Sequence, residues 1–127
     1  MVSGRSGDTG RSASSSSYGH VVASESPTIL TVFRSRLRPD AVALGYHELA
    51  DGTERQARAM PGFLGFTTFT ADDGERVSVV EFDSIDSHTR WRDHPQHRAA
   101  QRRGCEDFYA EYRITVCEVF REHTFTR

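Results

Sequence analysis

Polar and apolar positions alternate over residues 29–37: Thr31, Phe33, Ser35 and Leu37 fall on one side, Leu30, Val32, Arg34 and Arg36 on the other. A two-residue period predicts a β-strand. Pro39 and Asp40 stop it and offer a helix start, after which Val42, Tyr46, Leu49, Thr53, Ala57 and Met60 recur at helical spacing. Gly45 and Gly52 each weaken that helix by about 1 kcal/mol relative to Ala, and Asp51–Gly52 is where it is expected to break in two. Pro61–Gly62 ends it. Residues 63–71, dense in Phe and Thr, read as a second strand. Asp72 to Glu75 supply a hairpin turn, and a third strand follows over 76–83. Its Val77, Val79 and Glu81 oppose Ser78, Val80 and Phe82. Ser84 to Asp86 offer an N-cap for a helix carrying His88 and Trp91, Pro95 interrupts it, and a polar helix restarts over 96–104. Residues 112–121 close the pattern, with Ile114, Val116, Glu118 and Phe120 against Arg113, Thr115, Cys117 and Val119.

The order β-α-β-β-α-β is the split arrangement of a ferredoxin-like α+β sheet. Its helices cover one face and leave the other open. About 100 residues make a marginal core when half a sheet stays wet, so the expected remedy is a homodimer whose two sheets close into a barrel. Arg34, Arg36, Arg113 and Arg121 are expected to form cross-strand ion pairs with Glu81 and Glu118 on that open side.

Composition narrows this picture at the ends and at the surface. Residues 1–27, rich in Ser and Gly, cannot bury enough apolar surface to offset ordering and read as a disordered tail ahead of a single domain over 28–127. The net charge of −2 argues against a nucleic-acid partner. No apolar run is long enough to cross a bilayer, and the first residues lack the apolar stretch of a secretory signal; a cytoplasmic location is the expectation. Cys105 and Cys117 have no CxxC spacing, which suits free thiols. All 16 basic residues are arginine.

Three stretches carry a resemblance: Pro61–Gly62–Phe63–Leu64–Gly65–Phe66, the turn Asp73–Gly74–Glu75–Arg76, and the run from Trp91 through His94–Pro95–Gln96–His97 to Gln101. With the closing Tyr109–Ala110–Glu111–Tyr112–Arg113, they resemble the antibiotic biosynthesis monooxygenase family over roughly residues 29–121. The resemblance implies the dimeric α/β barrel, a pocket between helices and sheet, and oxidation of an aromatic polyketide by O2. Quinone-forming members carry Asn and Trp on the third strand and Tyr on the next helix, where this chain has Ser78, Phe82 and His88. Haem-degrading relatives carry Asn, Trp and His where this chain has Ser35, Trp91 and Gln101, so the iron ligand is missing and neither haem nor a metal is expected. A branch that opens rings of angucycline-type polyketides consumes reduced flavin (FADH2 or FMNH2). Resemblance to it implies such a co-substrate and a separate flavin reductase, since the chain has no glycine motif for a dinucleotide.

Oxidising an electron-rich phenol asks a protein for orientation, a base and exclusion of water. Histidine, with a pKa near neutrality, is the natural base, and His88, His94 and His97 lie close together on the segment expected to roof the pocket. These are the candidate catalytic residues. Phe33, Tyr46, Phe82 and Trp91 are candidate aromatic walls, and Ser35, Ser78 and Gln101 candidate anchors for phenolic oxygens. A non-redox polyketide cyclase or isomerase would use the same bases without O2, and a ligand-binding module would use the same walls without turnover.

Overall fold

In the computed structural model, which describes residues 26–127, the alternation at residues 29–37 forms strand β1 (Ile29–Leu37). It is followed by α1 (Tyr46–Arg58), β2 (Phe63–Thr70), β3 (Arg76–Phe82), α2 (Ile85–Asp93), α3 (Pro95–Arg103), a π-helical turn (Gly104–Phe108) and β4 (Tyr109–Glu118). The sheet is antiparallel in the order β2-β3-β1-β4, the ferredoxin-like α+β arrangement expected. Of the tail read over residues 1–27, residues 1–25 lie outside the described residues. No helix among the described residues is long and apolar enough to cross a membrane.

Two boundaries differ from the sequence expectation. The first helix begins at Tyr46 rather than near Asp40, and it runs through Gly52 unbroken. Gly45 sets that start: its φ of 102° lies in the left-handed region, which an α-helix cannot continue through. Residues 38–46 are instead tied by consecutive turns, with Ala41 N–H donating to the Arg38 carbonyl and Tyr46 N–H to that of Ala41. Packing of the apolar face of α1 outweighs the modest propensity cost of Gly52. The last strand begins at Tyr109, three residues early, because an irregularity between Arg36 and Leu37 brings Leu37 opposite Tyr109. It ends at Glu118, leaving Phe120 90% exposed beyond it.

Parity of the strands sorts their side chains. Thr31, Val80 and Val116 form one cross-strand row beneath the helices, and Phe33, Ser78 and Ile114 the next. Leu30, Val32, Val77 and Val79 face the opposite, open side with the exposed Phe69. The expected ion pairs with Glu81 and Glu118 do not form: Arg34 pairs with Glu75 at 2.8 Å, and Arg36 with Asp73 at 2.8 Å and Glu111 at 3.5 Å. The turn carboxylates reach these arginines from the hairpin end, so turn geometry rather than strand parity chooses the partners.

The core under the helices has two centres. Ala57, Val80, Phe82 and Trp91 form one, and Ala41, Tyr46 and Phe108 the other. Between them lies the site.

Candidate functional site

Each helix presents one face to the space between these centres. On α1 that face is Tyr46, Leu49, Ala50 and Thr53, at the i, i+3, i+4, i+7 spacing that keeps residues on one side. On α2 it is His88, Trp91 and Arg92, and on α3 His97, Ala100 and Gln101, by the same rule. The floor is the sheet: Thr31 and Phe33 from β1, Phe66 and Thr68 from β2, Ser78 and Val80 from β3, Ile114 and Val116 from β4. Together they enclose a mostly apolar cavity of about 330 Å³, at the small end of ligand sites.

His97 reaches the cavity because of how α3 begins. His94 adopts an extended backbone and its Nδ1 accepts the Gln96 N–H at 3.1 Å, while Pro95 occupies the first helical position. This start directs His97, Ala100 and Gln101 inward. It also removes His94 from the candidate site, since its imidazole serves as the helix cap and lies outside the cavity lining. The His97 ring lies against Trp91, with centroids 4.3 Å apart, and Trp91 stacks on Phe82 at 5.2 Å. His88 meets Trp91 edge-on at 6.0 Å.

Burial disfavours the charged form of both imidazoles. It pushes the His97 pKa down to about 4, helped by repulsion from His88, His94 and Arg98. The His88 pKa is lowered by burial and then by the Arg92 guanidinium, with Asp93 opposing. Both rings are therefore neutral near pH 7. The Nδ1 atoms of His88 and His97, Trp91 Nε1 and Thr31 Oγ1 are sealed from solvent with no hydrogen-bond partner in the protein. Such groups are costly in a folded chain, and as sealed atoms they lie behind the cavity surface rather than on it.

The other end is aromatic. Tyr109 sits edge-on to Phe33 at 5.3 Å and to Tyr46 at 6.0 Å. Burial, followed by the neighbouring Tyr46, raises its pKa, keeping the phenol protonated. Arg76 lies with its guanidinium carbon 5.2 Å from the centre of the Tyr46 ring.

Of the residues singled out from sequence, His88, His97, Phe33, Tyr46, Ser78, Trp91 and Gln101 all line this cavity. Two others do not. Phe82 is fully buried beneath Trp91 and supports it from the core. Ser35 lies one row beyond Phe33, in a separate crevice with Arg34, Arg36, Glu75 and Tyr112. Sequence reasoning passed over Thr31, Arg76 and Tyr109. Strand parity could have found the first two, since Thr31 shares its side with Phe33 and Arg76 with Ser78; Tyr109 needed the early start of β4. Among the described residues no three His, Cys, Asp or Glu side chains are grouped to hold a metal ion.

Residues 28–103 match the antibiotic biosynthesis monooxygenase family. The uncharacterised protein YqjZ of Bacillus subtilis (strain 168) is 36% identical over 81 residues, 64% of this chain and 71% of that protein. Among solved structures, Rv0793 from Mycobacterium tuberculosis matches with a TM-score of 0.67 and 21% identity, covering 76% of this chain and 99% of that one. SnoaB, a cofactor-independent oxygenase from Streptomyces nogalater, matches at 0.64 and 12% identity over 76% of this chain and 96% of its own. A dabb family protein with a ferredoxin-like fold from Mesorhizobium loti matches at 0.62 and 17% identity over 74% and 98%. At these identities the structures speak to the fold.

Proposed function

This chain belongs to the antibiotic biosynthesis monooxygenase family, and from that premise we propose that it is a small oxygenase that oxidises an electron-rich aromatic polyketide with O2 in the cavity beneath α2 and α3. The observation that carries this reading is the neutral, buried His97 against Trp91 at the wall of an apolar cavity. A neutral imidazole can accept the proton of a phenol or enol as the substrate anion forms. Burial opposes an isolated imidazolium, but the anion beside it offsets that cost in a site of low polarity. His88 is the second base candidate, and Ser78 and Gln101 are anchors for further oxygens.

For an anthrone-type substrate the balance is simple. The anion gives electrons to O2, a carbon–oxygen bond forms at the ring CH2, and the O–O bond then breaks. One oxygen atom remains as the new ketone and the other leaves as water with both hydrogens of the CH2. The carbon loses four electrons and O2 gains four, so the substrate supplies them all. A ring-opening oxidation would instead draw two electrons from reduced flavin, delivered by a separate reductase. The cavity volume of about 330 Å³ favours one polycyclic ligand at a time and hence the first version.

The open side of the sheet bears on the assembly. Leu30, Val32, Val77 and Val79, with the exposed Phe69, form an apolar surface on a sheet whose other face is already covered. We propose that a second copy covers it, giving a homodimer in which two sheets close as a barrel.

The test is O2 uptake by the purified protein with a panel of anthrones and hydroxylated polycycles, with and without enzymatically reduced flavin, under excess catalase. Substrate-linked uptake without flavin, lost about a hundredfold or more in His97→Gln, is the expected result; that is the size of effect removing a general base brings. Uptake only with reduced flavin would reassign the electron source. Conversion without O2 uptake would point to a cyclase, and tight binding without any conversion to a binding module; either overturns the oxygenase reading.

A further inference from the structure

Arg76 opens β3 on the cavity side, on the same strand face as Ser78. It is half-buried and meets aromatic rings: its guanidinium lies over Tyr46 and its charge acts on the Tyr109 phenol. The carboxylates nearest in sequence are committed elsewhere: Glu75 pairs with Arg34 and Asp73 with Arg36, both on the opposite face of the sheet. Other charges along the cavity are matched or wet. Glu54 pairs with Arg58, Arg92 pairs with Asp93, and Asp51 is exposed. Its guanidinium nitrogens keep access to solvent and have no counter-ion in the protein, and an aromatic face meets the charge without using the N–H donors. Arg76 thus stands at the Tyr46 end of the cavity with its fork of N–H donors unspent.

The two ends are a ligand's length apart. Arg76 and Val80 are separated by four residues of β3, about 13 Å at the rise of an extended strand. Val80 packs in the cluster that contains Trp91, the ring that touches His97. A tri- or tetracyclic aromatic molecule bridges such a span.

We propose that Arg76 binds a carboxylate of the substrate, fixing the acid at the Tyr46 end and leaving the oxidisable ring beneath Trp91, His88 and His97. The inference rests on the cavity being the substrate site and narrows its substrate class from neutral polycycles to polycyclic aromatic acids. A planar guanidinium receives a carboxylate through two parallel hydrogen bonds, so it fixes orientation as well as affinity. The reversed orientation would press the carboxylate against the Trp91 ring and leave Arg76 unpaired.

Trp91 is the only tryptophan and lines the cavity, so its fluorescence reports what enters. The full chain is titrated with anthraquinone-2-carboxylate and with the uncharged anthraquinone-2-carboxamide. The wild-type protein is expected to bind the carboxylate about tenfold more tightly, the size of one charge-assisted contact. Arg76→Gln should erase that preference while changing the carboxamide Kd by no more than about twofold. Arg76→Lys should keep part of it, as a point charge without the fork, and Arg92→Gln should keep it all. Equal affinity of the two probes for the wild-type protein, or an undiminished preference in Arg76→Gln, overturns the role of Arg76 and leaves the cavity standing as a ligand site. Quenching by neither probe overturns both.

Discussion

His97 holds the sharpest consequences at the level of single residues. Its pKa is about 4 in the folded chain against about 6.5 in an unfolded one. The unfolded state therefore binds the extra proton first, and stability linked to His97 is intact above pH 6.5 and lost as pH falls towards 4. The full loss is about 3 kcal/mol, at about 1.4 kcal/mol per pKa unit. Urea unfolding of the wild-type protein should accordingly weaken between pH 7 and pH 4.5 more steeply than that of His97→Asn, which has no proton to take up. Parallel pH slopes for the two proteins would mean that the imidazole is not held neutral. His94 provides the contrast. Its replacement by Ala should cost about 1 kcal/mol through the lost cap and leave ligand quenching of Trp91 unchanged, whereas His97→Asn should weaken it. Sequence alone could not separate these two histidines, because three residues of spacing permit a shared face only if the helix is already running at the first. It is not, since His94 is the cap.

Among the elements, α1 gives a pair of substitutions with opposite signs. Gly45 has a φ of 102° and open space where a Cβ would stand. Gly45→Ala meets no clash, so its cost is backbone strain alone, about 1 kcal/mol. Gly52 lies inside the helix, and its Cβ would meet only the end of the Arg55 side chain at 3.8 Å. Gly52→Ala should therefore stabilise the chain, by about 0.5–1 kcal/mol. Thermal melts of both variants test the pair; destabilisation by Gly52→Ala would indicate that α1 is broken there after all. The helical spacing of the apolar face made the helix legible, but which glycine breaks it was not. Propensity treats the two alike, and only the turns at residues 38–46 commit Gly45 to a positive φ.

For the molecule as a whole, the consequence lies on the open side of the sheet. Each apolar side chain buried there by a second copy contributes on the order of 1.5–3 kcal/mol, so a charge at its centre should be severe. The wild-type protein is expected to sediment as a dimer at micromolar concentration, and Val79→Arg as a monomer that keeps its circular dichroism. A monomeric wild-type protein would remove the barrel and call for another cover. The sequence by itself determined the order of elements, the side of each strand that faces the helices, and the gathering of His88, Trp91 and His97, because periodicities of 2.0 and 3.6 are local properties of the chain. It also offered Phe33 and Tyr46 as aromatic walls, while Ser78 and Gln101 came from the positions that the family resemblance assigns. The tertiary structure alone decided that Ser35 falls outside the cavity, that Phe82 supports it from beneath, that the turn carboxylates leave Arg76 without a partner, and that Tyr109 closes the far end. Each of these depends on register and on which long side chain reaches which neighbour across the sheet. Those outcomes are set by contacts between residues distant in sequence, and no local pattern encodes them.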